Sequence, residues 1–89
     1  MTVPLRMPDI SSLRAFVNGR GVDVPIGGTA LDAVRLADPA EAAAIEAGTR
    51  AIADSRGLPI AGDEAAYGGA IYRTISARAA QRALEGEET

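Results

Sequence analysis

The stretch Phe16–Val34, FVNGRGVDVPIGGTALDAV, constrains this chain more than any other. It reads as a short strand, an Asn18-Gly19 turn, a second strand, and a Gly27-Gly28 bend that leads into a helix capped by Thr29. Asn-Gly takes left-handed backbone angles more readily than other pairs, which makes it the strongest local hairpin signal in the chain. The Arg20-Gly21 pair that follows predicts a four-residue connection or a bulge in place of a two-residue turn. Val22, Val24 and Ile26 alternate with Asp23 and Pro25, which predicts one buried and one wetted face. Pro25 lacks an N–H and suits an edge strand or a strand's end.

The rest of the chain reads as alternating caps and short elements. Thr29 and Asp32 form a capping box with Asp in place of Glu, and Ala30, Leu31, Val34 and Ala37 are spaced to face a sheet. Asp38-Pro39 stops that helix and starts a second over 39–47, with Ile45 as its one large anchor and Gly48 at its end. A third strand follows over 50–53, a turn at Asp54-Ser55-Arg56-Gly57, and a short return at Leu58-Pro59-Ile60. Residues 61–69 read as a loop, 69–75 as the last strand, and Ser76 as the cap of a helix over 77–85. Residues 1–11 show no sustained periodicity and read as an extended arm. Pro4 and Pro8 there confine any pairing to a sheet edge. The division is thus an arm (1–11), an α+β domain (12–76), and a helical tail with an acidic end (77–89).

Composition narrows the function. An 89-residue chain makes one domain, and with Phe16, Tyr67 and Tyr72 as its only aromatics its core is thin and rich in alanine. There is no cysteine and no histidine, which removes thiolate chemistry, the usual zinc sites and the commonest general base. The expectation is a protein that is not an enzyme and carries no metal or cofactor. All nine basic residues are arginine, as a GC-rich coding sequence would give, and the net charge of −3 speaks against a general nucleic-acid surface. No apolar run reaches the ~20 residues that span a bilayer, and the first ten residues lack a signal-peptide core, so a cytoplasmic location is expected.

Three strings, in this order, carry a family resemblance: "FVNGRGVDVPIGGTALDAV", "RAIADSRGLPI" and "YGGAIYRTIS". Over about residues 13–76 the chain resembles the bacterial sulfur carriers of thiamine synthesis and the small subunit of molybdopterin synthase. The resemblance implies a β-grasp, or ubiquitin-like, fold: a mixed sheet of four to five strands packed on one main helix, here with a helical C-terminal tail. It also implies a protein partner, such as an adenylating enzyme or a synthase subunit. Members of that family end in Gly-Gly directly after the last strand, because the terminal carboxylate threads a narrow channel in the adenylating enzyme. This chain continues past Ser76 with ARAAQRALEGEET. Gly68-Gly69 precedes the last strand and reads as a turn. Gly86 is the candidate processing site, since cleavage after it leaves a terminal glycine; it equally suits the end of the tail helix.

The candidate partner-binding residues are Ile71, Arg73, Ile75, Arg78 and Arg82. Two orientations of the last strand are open. Either Ile71 and Ile75 face the core with Arg73 between them, or Ala70 and Tyr72 do. In the second case the isoleucines form an exposed apolar patch around a charge. Arg78 and Arg82 share one helix face, opposite a stripe of Ala79, Ala80, Ala83 and Leu84. Asp54, Asp63 and Glu64 read as turn and loop carboxylates, and Gly27-Gly28 places backbone N–H groups at a helix start, a weak anion site. The leading expectation is a non-catalytic protein that docks on a partner; the alternative is a carrier precursor processed at Gly86.

Overall fold

A computed structural model describes residues 12–86; the arm at 1–11 and the acidic end at 87–89 lie outside the described residues. The elements are β1 (Ser12–Val17), β2 (Arg20–Pro25), α1 (Ala30–Ala37), α2 (Pro39–Glu46), β3 (Arg50–Ala53), β4 (Pro59–Ile60), β5 (Ile71–Ser76) and α3 (Ala77–Gly86). Together they make an α+β fold with a mixed five-stranded sheet in the order β2-β1-β5-β3-β4. β1 and β5 run parallel at the centre, and the other neighbours are antiparallel.

The first hairpin corrects one expectation. Val17 pairs with Arg20 and Phe16 with Gly21, so the connection is a two-residue turn and Arg20-Gly21 belongs to β2. Asn18 at φ 51° and Gly19 at φ 84° take both left-handed positions, the combination whose twist matches the flanking strands. Ile26 is the second correction. β2 ends at Pro25, the chain bends toward α1, and Ile26 is 63% exposed. Gly28 serves that bend by close approach, since a Cβ there would lie 2.7 Å from Val24 Cγ1.

The helix caps form as read. Thr29 Oγ1 accepts from the Asp32 N–H, and the Asp32 carboxylate accepts from the Thr29 N–H. Asp38 caps α2 through the N–H groups of Ala40 and Glu41. The Arg20 guanidinium donates to Ala37 O at 2.7 Å, which brings the last turn of α1 to the start of β2. α1 therefore runs antiparallel to β2. Segment 61–66 is tied to the other end of α1 by bonds from Ala30 N–H to Glu64 O and from Leu31 N–H to Gly62 O.

The core lies between α1, α2 and one sheet face. Among the described residues, eight of the thirteen buried apolar ones are alanine, with Val17, Val24, Val34, Ile52 and Tyr72 supplying the volume. Ala53 and Ala80 are buried but lie apart from this cluster. Strand alternation puts Ala53 on the face opposite Ile52, and α3 packs against β3, β4 and β5. The tail helix thus folds back over part of the outer sheet face. Ser76 Oγ accepts from the Ala79 N–H and caps it.

Candidate functional site

The outer sheet face follows from the facing of β5. Ala70 and Tyr72 are buried at 0% and 2% exposure, so the residues between and beyond them point away from the core. Ile71 pairs beside Phe16, Arg73 beside Ala53, and Ile75 beside Ala51, which places all six side chains on one face. Ile71 is 46% exposed and Arg73 is exposed, whereas Ile75 is half-buried near the base of α3. The apolar patch around Arg73 is therefore narrower than two free isoleucines would make it. The Arg14–Asp23 ion pair, at 3.2 Å, flanks it on β1 and β2.

Arginine pairing sorts the candidates. Arg14, Arg35, Arg50 and Arg56 each meet a carboxylate, and Arg20 holds a backbone carbonyl. Arg73, Arg78 and Arg82 make no hydrogen bond or ion pair among the described residues. Arg73 stands on the open sheet face. Arg78 and Arg82 share the exposed side of α3, opposite the Ala79, Ala80 and Ala83 stripe that turns to the sheet. They stand on a different surface from Ile71 and Arg73. Leu84 departs from the expected stripe and is 50% exposed. Gly86 is the last residue of α3.

The carboxylates weighed from sequence have structural work. Asp54 accepts the Arg56 guanidinium at 2.9 Å and the N–H groups of Arg56 and Leu58, which close the turn. Those bonds, the Arg56 guanidinium foremost, hold its carboxyl below the usual carboxylate range. At the Gly27-Gly28 bend the Asp32 carboxylate occupies the helix start. The Thr29 N–H lowers its pKa most, burial opposes, and Arg35 adds to the lowering. A free anion there would compete with the protein's own. Among the described residues no group of three or more His, Cys, Asp or Glu side chains is gathered to hold a metal, and no helix is long and apolar enough to cross a membrane.

A second surface was not anticipated. Pro25, Ile26, Gly27 and Gly28 face Asp32, Arg35 and Leu36 across an open groove of about 440 Å³. Ile26 and Leu36 are 63% and 54% exposed, so its apolar walls are wet. The available signal was Leu36 itself, a large apolar residue off the Ala30, Ala33, Val34, Ala37 stripe. Comparison with family models, curated proteins and solved structures finds no match.

Proposed function

We propose that this chain is a non-catalytic, ubiquitin-like β-grasp protein, similar to the sulfur carriers of thiamine and molybdopterin synthesis, that works by docking on another protein. The β2-β1-β5-β3-β4 order supports the fold reading, with its parallel central pair and a helix lying back across the first hairpin. The observation that carries the docking reading is Arg73. It is an exposed guanidinium without a partner among the described residues, set between Ile71 and Ile75 on a sheet face that α3 only partly covers. A partner offering a carboxylate within an apolar surround would satisfy it, since a desolvated Arg–carboxylate pair is a common interface anchor.

The tail supports docking over carrier chemistry. β5 passes at Ser76 into a capped helix that packs on the sheet, where a carrier needs a thin, side-chain-free terminus. A partner isolated with the wild-type protein is then titrated, as purified material, against Arg73→Glu and Ile71→Asp. Each variant is expected to weaken binding at least about tenfold while the circular dichroism spectrum is unchanged. Equal affinity for both rejects this surface. Native protein whose mass ends at Gly86 rejects the docking reading in favour of a processed carrier.

A further inference from the structure

β2 is a sheet edge whose middle is free to pair. In a two-residue hairpin the closing pair exchanges both ladder bonds, so Arg20, Val22 and Val24 point their N–H and C=O groups into β1. The N–H groups of Phe16 and Asn18 on β1 point the other way, to Ala70 O and Tyr72 O, which fixes the same alternation. Gly21 and Asp23 therefore aim their N–H and C=O groups outward. Among the described residues no strand pairs with this side of β2. Pro25, the next outward position, has no N–H, and its carbonyl accepts from the Gly28 N–H.

The outer face of this edge carries a cation that is half used. Arg14 Nη1 donates to Asp23 Oδ1 at 3.2 Å. Its Nη2 lies over Gly21, where a Cβ would come within 2.5 Å of it. Among the described residues Nη2 makes no hydrogen bond. Both charged side chains are more than half exposed, so the guanidinium can take a second acceptor without losing the first.

We propose that this edge pairs antiparallel with the same edge of a second copy of the chain, about a twofold axis at Val22. With Val22 facing Val22 of the second copy, Gly21 lies opposite its Asp23 and Asp23 opposite its Gly21. Each of these two pairs exchanges two backbone bonds, so every outward N–H and C=O of Gly21 and Asp23 is met in both copies. The neighbouring registers fail. Asp23 against Asp23 opposes like charges and sets Gly21 against Pro25, which has no N–H. Gly21 against Gly21 sets Asp23 against Gly19, inside the turn.

The charges select the occupant. Residues directly opposite in a ladder share a face, so each Asp23 carboxylate arrives over Gly21 of the other copy, beside the unused Nη2 of that copy's Arg14. Gly21 has no side chain to block the approach. Each arginine then bridges two aspartates and each aspartate two arginines. A strand carrying one sign of charge would repel either Arg14 or Asp23; a second copy complements both. On the core face the two half-buried Val22 side chains meet at the axis, where opposite residues approach closest. An edge left bare is a hazard that proteins block with proline, a bulge or charge. Here proline enters only at the strand's end, and the charge is self-complementary.

Sedimentation equilibrium of the full chain, with residue-resolved amide exchange by NMR, tests this. A dimer is expected to form as concentration rises, with the Gly21 and Asp23 amides slowing at least about tenfold as it fills. Asp23→Arg and Arg14→Asp should each raise the dissociation constant at least about tenfold. Mixed in equal amounts, the two variants should bind one another more tightly than either binds itself. Every cross-copy pair is then opposite in sign again, while the pair within each chain stays broken. Val22 and Val24 amides, which point into β1, stay protected in both variants and report that the fold persists. A monomer at every concentration overturns the proposal, as does a dimer that neither variant weakens. Slow exchange at Gly21 and Asp23 that ignores concentration overturns it too, and so does a mixture that associates no better than its components.

Discussion

Asn18 and Thr74 exchange two hydrogen bonds across fifty-six residues of sequence: Asn18 Nδ2 donates to Thr74 Oγ1 at 2.9 Å, and the Thr74 N–H donates to Asn18 Oδ1 at 3.1 Å. The side chain of a turn residue thereby continues the β1–β5 pairing past the end of β1. Asn18 also holds a left-handed backbone angle, φ 51°. Its two roles separate by substitution. Asn18→Gly keeps the turn and loses the bonds, which should cost about 0.5–1 kcal/mol because both groups are exposed. Asn18→Ala loses both roles and should cost about 2 kcal/mol. Urea midpoints measure the difference, and equal losses would show that the turn angle carries no cost.

Arg50 joins three elements. Its Nε donates to Glu41 Oε1 on α2 at 3.1 Å, and its Nη2 donates to Thr74 O on β5 at 3.1 Å, with both charged side chains about one-third exposed or less. Arg50→Met should destabilise by about 1–2 kcal/mol, more than Glu41→Gln, because the arginine alone also satisfies a strand carbonyl. A double-mutant cycle should find a coupling of about 0.5–1 kcal/mol; additive losses would mean the ion pair is incidental.

These two residues also show what could be read before the fold was known. The caps at Thr29, Asp38 and Ser76 are legible because each is settled within three residues of chain. The length of the hairpin connection is not legible locally, because only the Val17–Arg20 pairing decides whether Arg20-Gly21 belongs to the turn or the strand. Ile26 continued an alternation that cannot itself announce where a strand stops. The facing of Ile71 and Arg73 stayed open until Tyr72 was placed beside Val17 in the core. The groove was illegible for a similar reason: Ile26 and Leu36 meet only once α1 folds back along β2.

Stability should fall at both ends of the pH scale, for opposite reasons. Asp32 and Asp54 have folded pKa values below their ordinary 3.8, so the stability they contribute is present above that value and lost as pH falls through the folded values. Tyr72 is raised above 10.0, chiefly by burial and further by Tyr67 and Glu64, so its contribution is present below pH 10 and lost as pH rises through the folded value. Urea midpoints across pH should therefore decline below about pH 4 and above about pH 10. Asp54→Asn should flatten the acid limb and Tyr72→Phe the alkaline limb, and a Tyr72→Phe profile that overlays wild type rejects the second assignment.

The tail helix offers the clearest test of how the outer face is built. A ten-residue helix is marginal alone in water, so the helicity of Ala77–Gly86 reports its docking on the sheet. That docking rests on Ala80, 8% exposed, and on Ala53, fully buried on the outer face and apart from the main core. Ala80→Asp places a carboxylate in this contact and should cost about 1–3 kcal/mol. Undocking would remove a large part of the helical signal at 222 nm, since α3 is the longest of the three helices. Arg78→Glu sits on the exposed side in the first turn, where a negative charge favours the helix, and should gain about 0.3–0.5 kcal/mol. The opposite signs separate docking from propensity: if Ala80→Asp leaves both signal and midpoint unchanged, α3 does not cover β3, and the outer face is open across its whole width.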